Sequence, residues 1–172
     1  MRALIIVDML KDFVDPTGAL YCGPTIDPIV AKIKERLEFM RQSNDAIVIY
    51  LCDAHMPDDI EFERFPKHAV KGTEGAHIVP ELYPDKNAYV LNKTRYSGFY
   101  GTDLANILKT KEVTSVDVVG CCTSICVMDT VGGLSNRDIE VIIPEDQVAD
   151  FDQVAHAAAL ARMSGLYGAK IT

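Results

Sequence analysis

Runs of apolar residues alternate along this chain with stretches in which apolar residues recur at helical spacing. Five runs are nearly continuous in apolar side chains, as strands covered on both faces of a sheet are. These predicted strands are residues 3–7, 46–51, 88–91, 115–119 and 139–143. The spacing of apolar positions predicts helices over residues 28–42, 103–109, 124–134 and 152–167.

This alternation of strands and helices predicts an α/β fold, in which a central, mostly parallel sheet lies between two layers of helices. The 172 residues suit one domain with a single core, and no repeat or linker divides them. We therefore expect one domain over residues 1–172. In folds of this kind the functional site lies at the carboxyl ends of the strands.

Composition and charge narrow the classes of partner. The formal net charge of −8 argues against nucleic acid or an anionic membrane surface as a partner. No apolar run is long enough to span a bilayer, and the apolar start ends at Asp8 without a cleavage site that would mark a signal peptide. The five cysteines are an odd number, which favours free thiols in a reducing, cytoplasmic setting.

Reactive side chains stand at the end of each of the first four predicted strands. Asp8 follows the first strand, Asp53 and His55 follow the second, and Lys93 follows the third. The fourth strand runs into the segment Gly-Cys-Cys-Thr-Ser-Ile-Cys-Val, which holds Cys121, Cys122 and Cys126. The sequence therefore predicts that these residues meet at one edge of the sheet.

Cys126 falls in the first turn of a predicted helix. Free backbone N–H groups and the helix dipole favour a thiolate there, so we expect a lowered thiol pKa and a place for a developing oxyanion. Three other interpretations stay open: inert buried cysteines, a thiolate metal site at Cys122 and Cys126, and a redox pair formed by the same two residues. Taken singly, Asp8 is typical of a turn and Lys93 of a solvated surface.

Four motifs together resemble one known family. They are Val7-Asp8-Met9 with Asp12-Phe13, then Asp53-Ala54-His55 with Phe65-Pro66-Lys67-His68, then the Lys-Thr-Arg-Tyr-Ser-Gly-Phe segment at Lys93, and finally the segment that ends in Cys126-Val127. In this order, over nearly the whole chain, they resemble the isochorismatase-like cysteine hydrolases and most closely the nicotinamidase (pyrazinamidase) branch.

The resemblance implies a catalytic triad of Asp8, Lys93 and Cys126. Cys126 would attack an amide carbonyl, Asp8 would carry the proton from the thiol to the leaving ammonia, and Lys93 would keep Asp8 ionised. The resemblance also implies a cis peptide bond between Cys121 and Cys122, with the backbone N–H groups of Cys122 and Cys126 as the oxyanion hole. Phe13, Phe65, Tyr96 and Cys121 would line the substrate site.

The same resemblance implies a divalent metal ion, most simply zinc, with iron or manganese as alternatives. Its ligands would be Asp53, His55 and His68, with Glu61, seven residues before His68, as a fourth. Asp59 occupies the region where many family members have a further histidine. The metal would bind the pyridine nitrogen of nicotinamide, and this ligand set separates nicotinamidases from isochorismatases.

Two other functions remain open at this level. The chain could be a related hydrolase that acts on another small substrate, or a binding module without catalysis. The presence of all three triad residues argues against the second, because binding alone requires no nucleophile. Family members are often oligomers, so a homo-oligomer is a possible assembly.

Overall fold

A computed structural model describes all 172 residues. Its centre is a seven-stranded sheet in which every pairing is parallel. The strands are β1 (Arg2–Val7), β2 (Ala46–Asp53), β3 (Tyr89–Lys93), β4 (Ser115–Cys121), β5 (Glu140–Ile143), β6 (Val148–Ala149) and β7 (Lys170–Ile171). The α-helices are α1 (Lys11–Val14), α2 (Asp27–Arg41), α3 (Leu104–Thr110), α4 (Met128–Ser135) and α5 (Gln153–Tyr167).

The two faces of the sheet are covered by different helices, and β1 shows why. Its alternate residues Ala3, Ile5 and Val7 pack into one apolar cluster with α3, α4 and α5, while Leu4 and Ile6 pack into a second cluster with α2. Both faces are therefore apolar, which produces the continuous apolar run seen in the sequence. The predicted three-layer α/β fold is confirmed. None of the helices combines the length and apolar character that a bilayer crossing requires.

The strand order is β3-β2-β1-β4-β5-β7, with β6 paired to β4 beyond the end of β5. The chain builds the sheet outward from β1 in one direction, through β2 and β3, and then in the other, from β4 onward. Such a reversal opens a crevice at the carboxyl ends of the two central strands, which is where α/β folds bind ligands. Here the crevice lies beyond β1 and β4, next to Asp8 and Cys122.

Gly120 lets β4 approach β1 closely at this edge. Its φ of +111° is in a region that side chains disfavour, and a Cβ atom there would collide with the backbone carbonyl of Val7. The glycine thus brings the chain after β4 against the chain after β1.

The sequence located the main elements but not all of their ends. The third strand extends to Lys93 instead of stopping at residue 91, so Lys93 is a strand residue held in the sheet. The helix predicted over residues 124–134 begins as a π-helical segment, Thr123–Val127, and continues as α4. The sequence did not predict α1, β6 and β7, because two to four residues are too few to show a period.

A buried ion pair ties α2 to the sheet. Asp117 on β4 is fully buried and accepts hydrogen bonds from Arg2 at 2.9 and 3.1 Å and from Arg36 on α2 at 2.5 Å. Replacement of Asp117 with alanine leaves two guanidinium groups without their shared partner, so we expect a loss of about 3 kcal/mol in the free energy of unfolding. Chemical denaturation measures this loss.

The matched control for that substitution is Lys32→Ala. Lys32 pairs with Asp146 at 2.8 Å, but both side chains are about half exposed to water. Because exposed pairs are screened, we expect this variant to stay within about 1 kcal/mol of the wild type. Equal losses in the two variants would contradict a structural role for the buried pair.

Candidate active site and metal centre

Asp8, Lys93 and Asp53 form a buried chain of charges at the carboxyl ends of the first three strands. The Lys93 ammonium lies 2.7 Å from Asp8 Oδ2 and 2.6 Å from Asp53 Oδ1. Asp8 Oδ1 accepts the backbone N–H of Asp53 at 2.7 Å. Asp8 has a φ of +50°, a left-handed conformation that aspartate tolerates better than most residues. This backbone turn follows β1 directly, and the three side chains that meet there are almost completely buried.

The Cys126 thiol lies against this chain of charges. Its Sγ atom is 3.3 Å from Lys93 Nζ, and Sγ and the carboxylate oxygens of Asp8 and Asp53 all lie within 4.8 Å of one another. The structure therefore brings together the three residues of the predicted triad. The Cys121–Cys122 peptide bond is cis, as the resemblance implied.

The turn that carries Cys126 is held by groups at the end of β6 and directly after it. The Asp150 carboxylate accepts the backbone N–H of Ser124 at 2.7 Å, and the Thr123 hydroxyl donates to the carbonyl of Ala149 at 3.0 Å. Asp150 is itself fully buried. These contacts fix the π-helical segment in which Cys126 lies, and such segments are frequent at functional sites.

The electrostatics of the thiol differ from the sequence-based expectation. Burial raises the pKa of Cys126 well above its usual range, and the lowering effect of the Lys93 ammonium does not offset it. The predicted lowering of this pKa is therefore wrong, because Cys126 is 6% exposed and two carboxylates lie close to it. The thiol holds its proton at rest and needs a base.

Asp8 is the carboxylate placed to serve as that base. Burial and the charge of Asp53 raise the pKa of Asp8 to about 7, against the opposing effect of Lys93. Burial disfavours the charged form of Lys93, but the negative groups around it, with Asp8 foremost, raise its pKa well above the usual range. The lysine therefore stays charged.

A second cluster of polar atoms lies beside this one and shares Asp53 with it. Asp53 Oδ2 is 3.6 Å from His55 Nε2 and 3.9 Å from His68 Nε2. Glu61 Oε1 is 3.9 Å from each of the same two nitrogens. All four side chains are at least 95% buried. The predicted metal ligands, including Glu61, thus converge on one point.

Neighbouring groups orient both imidazole rings. His55 Nδ1 lies 3.1 Å from Oδ2 of Asp59. The two carboxylate oxygens of Asp59 in turn accept hydrogen bonds from Arg95, at 3.0 and 3.1 Å. His68 Nδ1 lies 2.7 Å from the carbonyl of Pro66. An acceptor at Nδ1 favours the tautomer that leaves the Nε2 lone pair free, and this is the usual arrangement behind metal-binding histidines.

These residues fit a divalent metal ion. His55 Nε2 and Glu61 Oε2 are buried and have no hydrogen-bond partner, which is costly unless another group satisfies them. Tetrahedral ligands ~2.1 Å from a metal are about 3.4 Å apart, close to the observed separations. Burial lowers the pKa of His55, but Asp53 and Asp59 outweigh it and raise that pKa to about 9, so the cluster attracts positive charge.

A small cavity connects the thiol to this cluster. Its polar lining consists of Asp53, Glu61 and His68, and the Cys126 turn contributes Cys122, Ile125 and Cys126. The remaining walls are Phe13, Leu20, Phe65 and Tyr96. The predicted aromatic residues therefore line the cavity, whereas Cys121 is not among the lining residues and its thiol donates to the backbone carbonyl of Asp8 at 3.3 Å.

The sequence did not identify the residues that hold the site residues in position. It did not identify Asp150 behind the Cys126 turn or Arg95 behind Asp59, and it noted Asp59 only as a departure from the family pattern. It also missed the apolar walls Leu20 and Ile125. A buried carboxylate and an ordinary leucine carry no local signal, because their roles depend on segments far away in the chain.

Comparison with known proteins is consistent with this geometry. The isochorismatase domain family matches residues 2–172. The crystal structure of a nicotinamidase/pyrazinamidase from Bacillus subtilis superposes with a TM-score of 0.93 at 32% identity, covering 99% of this chain and 98% of that one.

Two further solved structures are similar to this chain. A pyrazinamidase of Pyrococcus horikoshii in complex with zinc has a TM-score of 0.92 at 32% identity, covering 99% of this chain and 98% of that one. An N-carbamoylsarcosine amidase from Thermoplasma acidophilum has a TM-score of 0.90 at 33% identity, covering 99% and 95%. The chain belongs to the isochorismatase family of hydrolases, within its nicotinamidase branch.

Proposed function

We propose that this protein hydrolyses nicotinamide to nicotinate and ammonia through a thioester on Cys126. One observation carries the proposal: a single small cavity is lined both by the Cys126 turn and by a buried carboxylate–imidazole cluster suited to a metal ion. A substrate with a ring nitrogen at one end and an amide at the other matches this arrangement. The aromatic side chains Phe13, Phe65 and Tyr96 would enclose a flat ring.

In the first half of the reaction Cys126 Sγ attacks the amide carbonyl while Asp8 takes the thiol proton. The backbone N–H groups of Cys122 and Cys126 would stabilise the negative charge that develops on the carbonyl oxygen. Asp8 then passes its proton to the amide nitrogen, the C–N bond breaks, and ammonia leaves. Throughout this step the Lys93 ammonium balances the negative charge of the buried carboxylates.

The second half uses the same groups in reverse. A water molecule enters the place that ammonia has left, and Asp8 accepts one of its protons. The hydroxyl group attacks the thioester, the C–S bond breaks, and Cys126 recovers its proton from Asp8 as nicotinate is released. The two half-reactions together consume one water per amide.

In this proposal Asp53, His55, Glu61 and His68 hold the metal ion, with zinc as the leading candidate. When bound, the ion supplies an electron-pair acceptor for the pyridine nitrogen and so orients the ring. Asp53 joins the two halves of the site, because one of its oxygens faces Lys93 and the other faces the histidines. Asp59 and Arg95 act as positioning residues, because Asp59 contacts His55 Nδ1 and the backbone N–H of Glu61, and Arg95 acts through Asp59.

The size of the cavity limits the substrate. Only ten residues line it, seven of them hydrophobic, which favours a substrate no larger than a single ring. A second candidate is hydrolysis of another small amide, which the similarity to an N-carbamoylsarcosine amidase supports. That substrate class has no ring nitrogen and gives the histidine cluster no role, so we place it second.

Ammonia release from nicotinamide tests the proposal, with metal content as a second readout. We expect purified protein to contain close to one divalent ion per chain and to release ammonia from nicotinamide. Treatment with a chelator should remove the ion and the activity together, and zinc should restore both. Ammonia from N-carbamoyl amino acids but not from nicotinamide would favour the second candidate, and no ammonia from either would contradict an amidohydrolase.

A further inference from the structure

Two thiols from distant parts of the chain touch beneath the cavity. Cys22 Sγ, in the loop between α1 and α2, lies 3.3 Å from Cys122 Sγ, in the turn after β4. Both residues are free cysteines, with exposed fractions of 1% and 3%. Neither thiol has a part in the proposed reaction, where Cys122 contributes only its backbone N–H.

The two other sulfur atoms near this pair have different contacts. Cys121 Sγ lies within 4.8 Å of both thiols but donates to the Asp8 carbonyl. Cys126 Sγ contacts Lys93, so the redox pair of Cys122 and Cys126 left open from sequence is not the pair in contact. The Cys122 thiol is within hydrogen-bond distance of Cys22 Sγ, and a donor in that position favours the thiolate form of Cys22.

We propose that Cys22 and Cys122 are an oxidisable dithiol that closes to a disulfide beside the active site. Hydrogen peroxide is a sufficient oxidant. The Cys22 thiolate attacks one peroxide oxygen, the O–O bond breaks, and hydroxide leaves as Cys22 becomes a sulfenic acid; the hydroxide takes up the proton that Cys22 lost on ionising and becomes one water. Cys122 then attacks that sulfur, the S–S bond forms, and a second water leaves, so two thiols lose two electrons to one peroxide.

The geometry suits this reaction. The two sulfur atoms must approach each other by about 1.3 Å to reach the ~2 Å of a disulfide bond. Cys22 lies in a loop, where a shift of this size disrupts no helix or strand. Cys122 lines the substrate cavity, so one member of the pair borders the space that a small molecule would enter.

The bond would affect turnover through Cys122. Its backbone N–H is one of the two proposed oxyanion donors, so a covalent tether from its side chain to Cys22 would displace that donor. This consequence, unlike the disulfide itself, rests on the proposed function. Loss of one oxyanion donor costs about 10²–10³ in rate, so we expect the disulfide to lower turnover at least tenfold and thiol reductants to restore it.

The chemical test uses Cys126→Ser protein, so that the nucleophile does not consume peroxide. After brief peroxide treatment, we expect two of the four remaining thiols to disappear and both to return with dithiothreitol. Mass spectrometry of the tryptic digest should show the peptide containing Cys22 linked to the peptide containing Cys122. The Cys52 peptide, from a buried thiol elsewhere, should stay reduced and serves as the internal control.

Two further variants in the same background assign the bond. Cys121→Ala should still form the linked peptide, whereas Cys22→Ser should not form it. A bond from Cys22 to Cys121, or sulfinic acid at Cys22 with no linked peptide, would overturn the proposal. If Cys121→Ala does not fold, fragmentation of the linked peptide from the parent protein makes the same distinction.

The activity test uses protein that retains Cys126. Cys22→Ser should match the wild-type rate of ammonia release when reduced, and it should lack the loss that dithiothreitol reverses in the wild type. An equal reversible loss in both proteins would place the sensitive thiol at Cys126 and overturn the regulatory consequence. If nicotinamide is not a substrate, the mass spectra still decide whether the disulfide forms.

Discussion

Replacing Cys126 with alanine should lower the rate of ammonia release by about four orders of magnitude or more, since removal of a catalytic nucleophile has effects of that size. The variant loses only the sulfur atom that would form the thioester. The proposed metal ligands and the aromatic walls keep their side chains, so we expect metal content and nicotinamide affinity to stay close to the wild type. Ammonia release and calorimetric titration with nicotinamide measure these two quantities.

Cys52→Ala is the matched control for that substitution. Cys52 is also a buried free cysteine, 5% exposed, and lies next to Asp53 on β2, but the cavity lining does not include it. Its replacement should cost some stability and leave turnover within a fewfold of the wild type. Residual activity in Cys126→Ala above about 1% of the wild type would contradict the covalent mechanism and favour direct attack by water.

Replacement of Lys93 with methionine should damage both activity and stability. The ammonium contacts the buried carboxylates of both Asp8 and Asp53, at 2.7 and 2.6 Å. Breaking a buried ion pair in this way costs about 3–5 kcal/mol in the free energy of unfolding. Because Asp8 then loses the charge that keeps it ionised, we expect turnover to fall by about a thousandfold or more. Chemical denaturation and ammonia release are the measurements.

A double variant separates the two effects. In Lys93→Met with Asp8→Asn one of the stranded carboxylates is also removed, so part of the lost stability should return while the activity stays absent. Lys86→Met, at an exposed position, controls for the change of side chain and should alter neither quantity. If Lys93→Met alone were as stable as the wild type, the result would contradict the buried charge chain that the structure shows.

Local sequence was enough for the architecture. The run from residue 3 to 7 is apolar at every position because both faces of β1 are covered, and a parallel sheet is the fold that requires this. The same run ends at Asp8, and the rule that ligands bind at carboxyl strand ends then placed Asp8, Lys93 and Cys126 at one edge. Family motifs added their roles, which patterning alone does not contain.

Two features of the site escaped local reasoning for a common reason. A helix N-terminus predicted a lowered pKa for Cys126, but burial acts in the opposite direction and is the larger effect. Glu61 was implied as a ligand by the family resemblance and not by its local sequence, and the structure has it 3% exposed and directed at two histidines. In both cases the decisive quantity is solvent access, which no window of neighbouring residues specifies.

The sequence by itself thus determined the order of the main strands and helices along the chain, the edge of the sheet where the site lies, and the kinds of side chain available there. Only the tertiary structure decided which of these side chains touch. It joined Asp53 to both Lys93 and the histidines, set Asp59 and Arg95 behind His55, and brought Cys22 against Cys122 across 100 residues of chain. The physical reason is that periodicity reports which face of an element is buried, whereas a contact between elements depends on how the whole core packs.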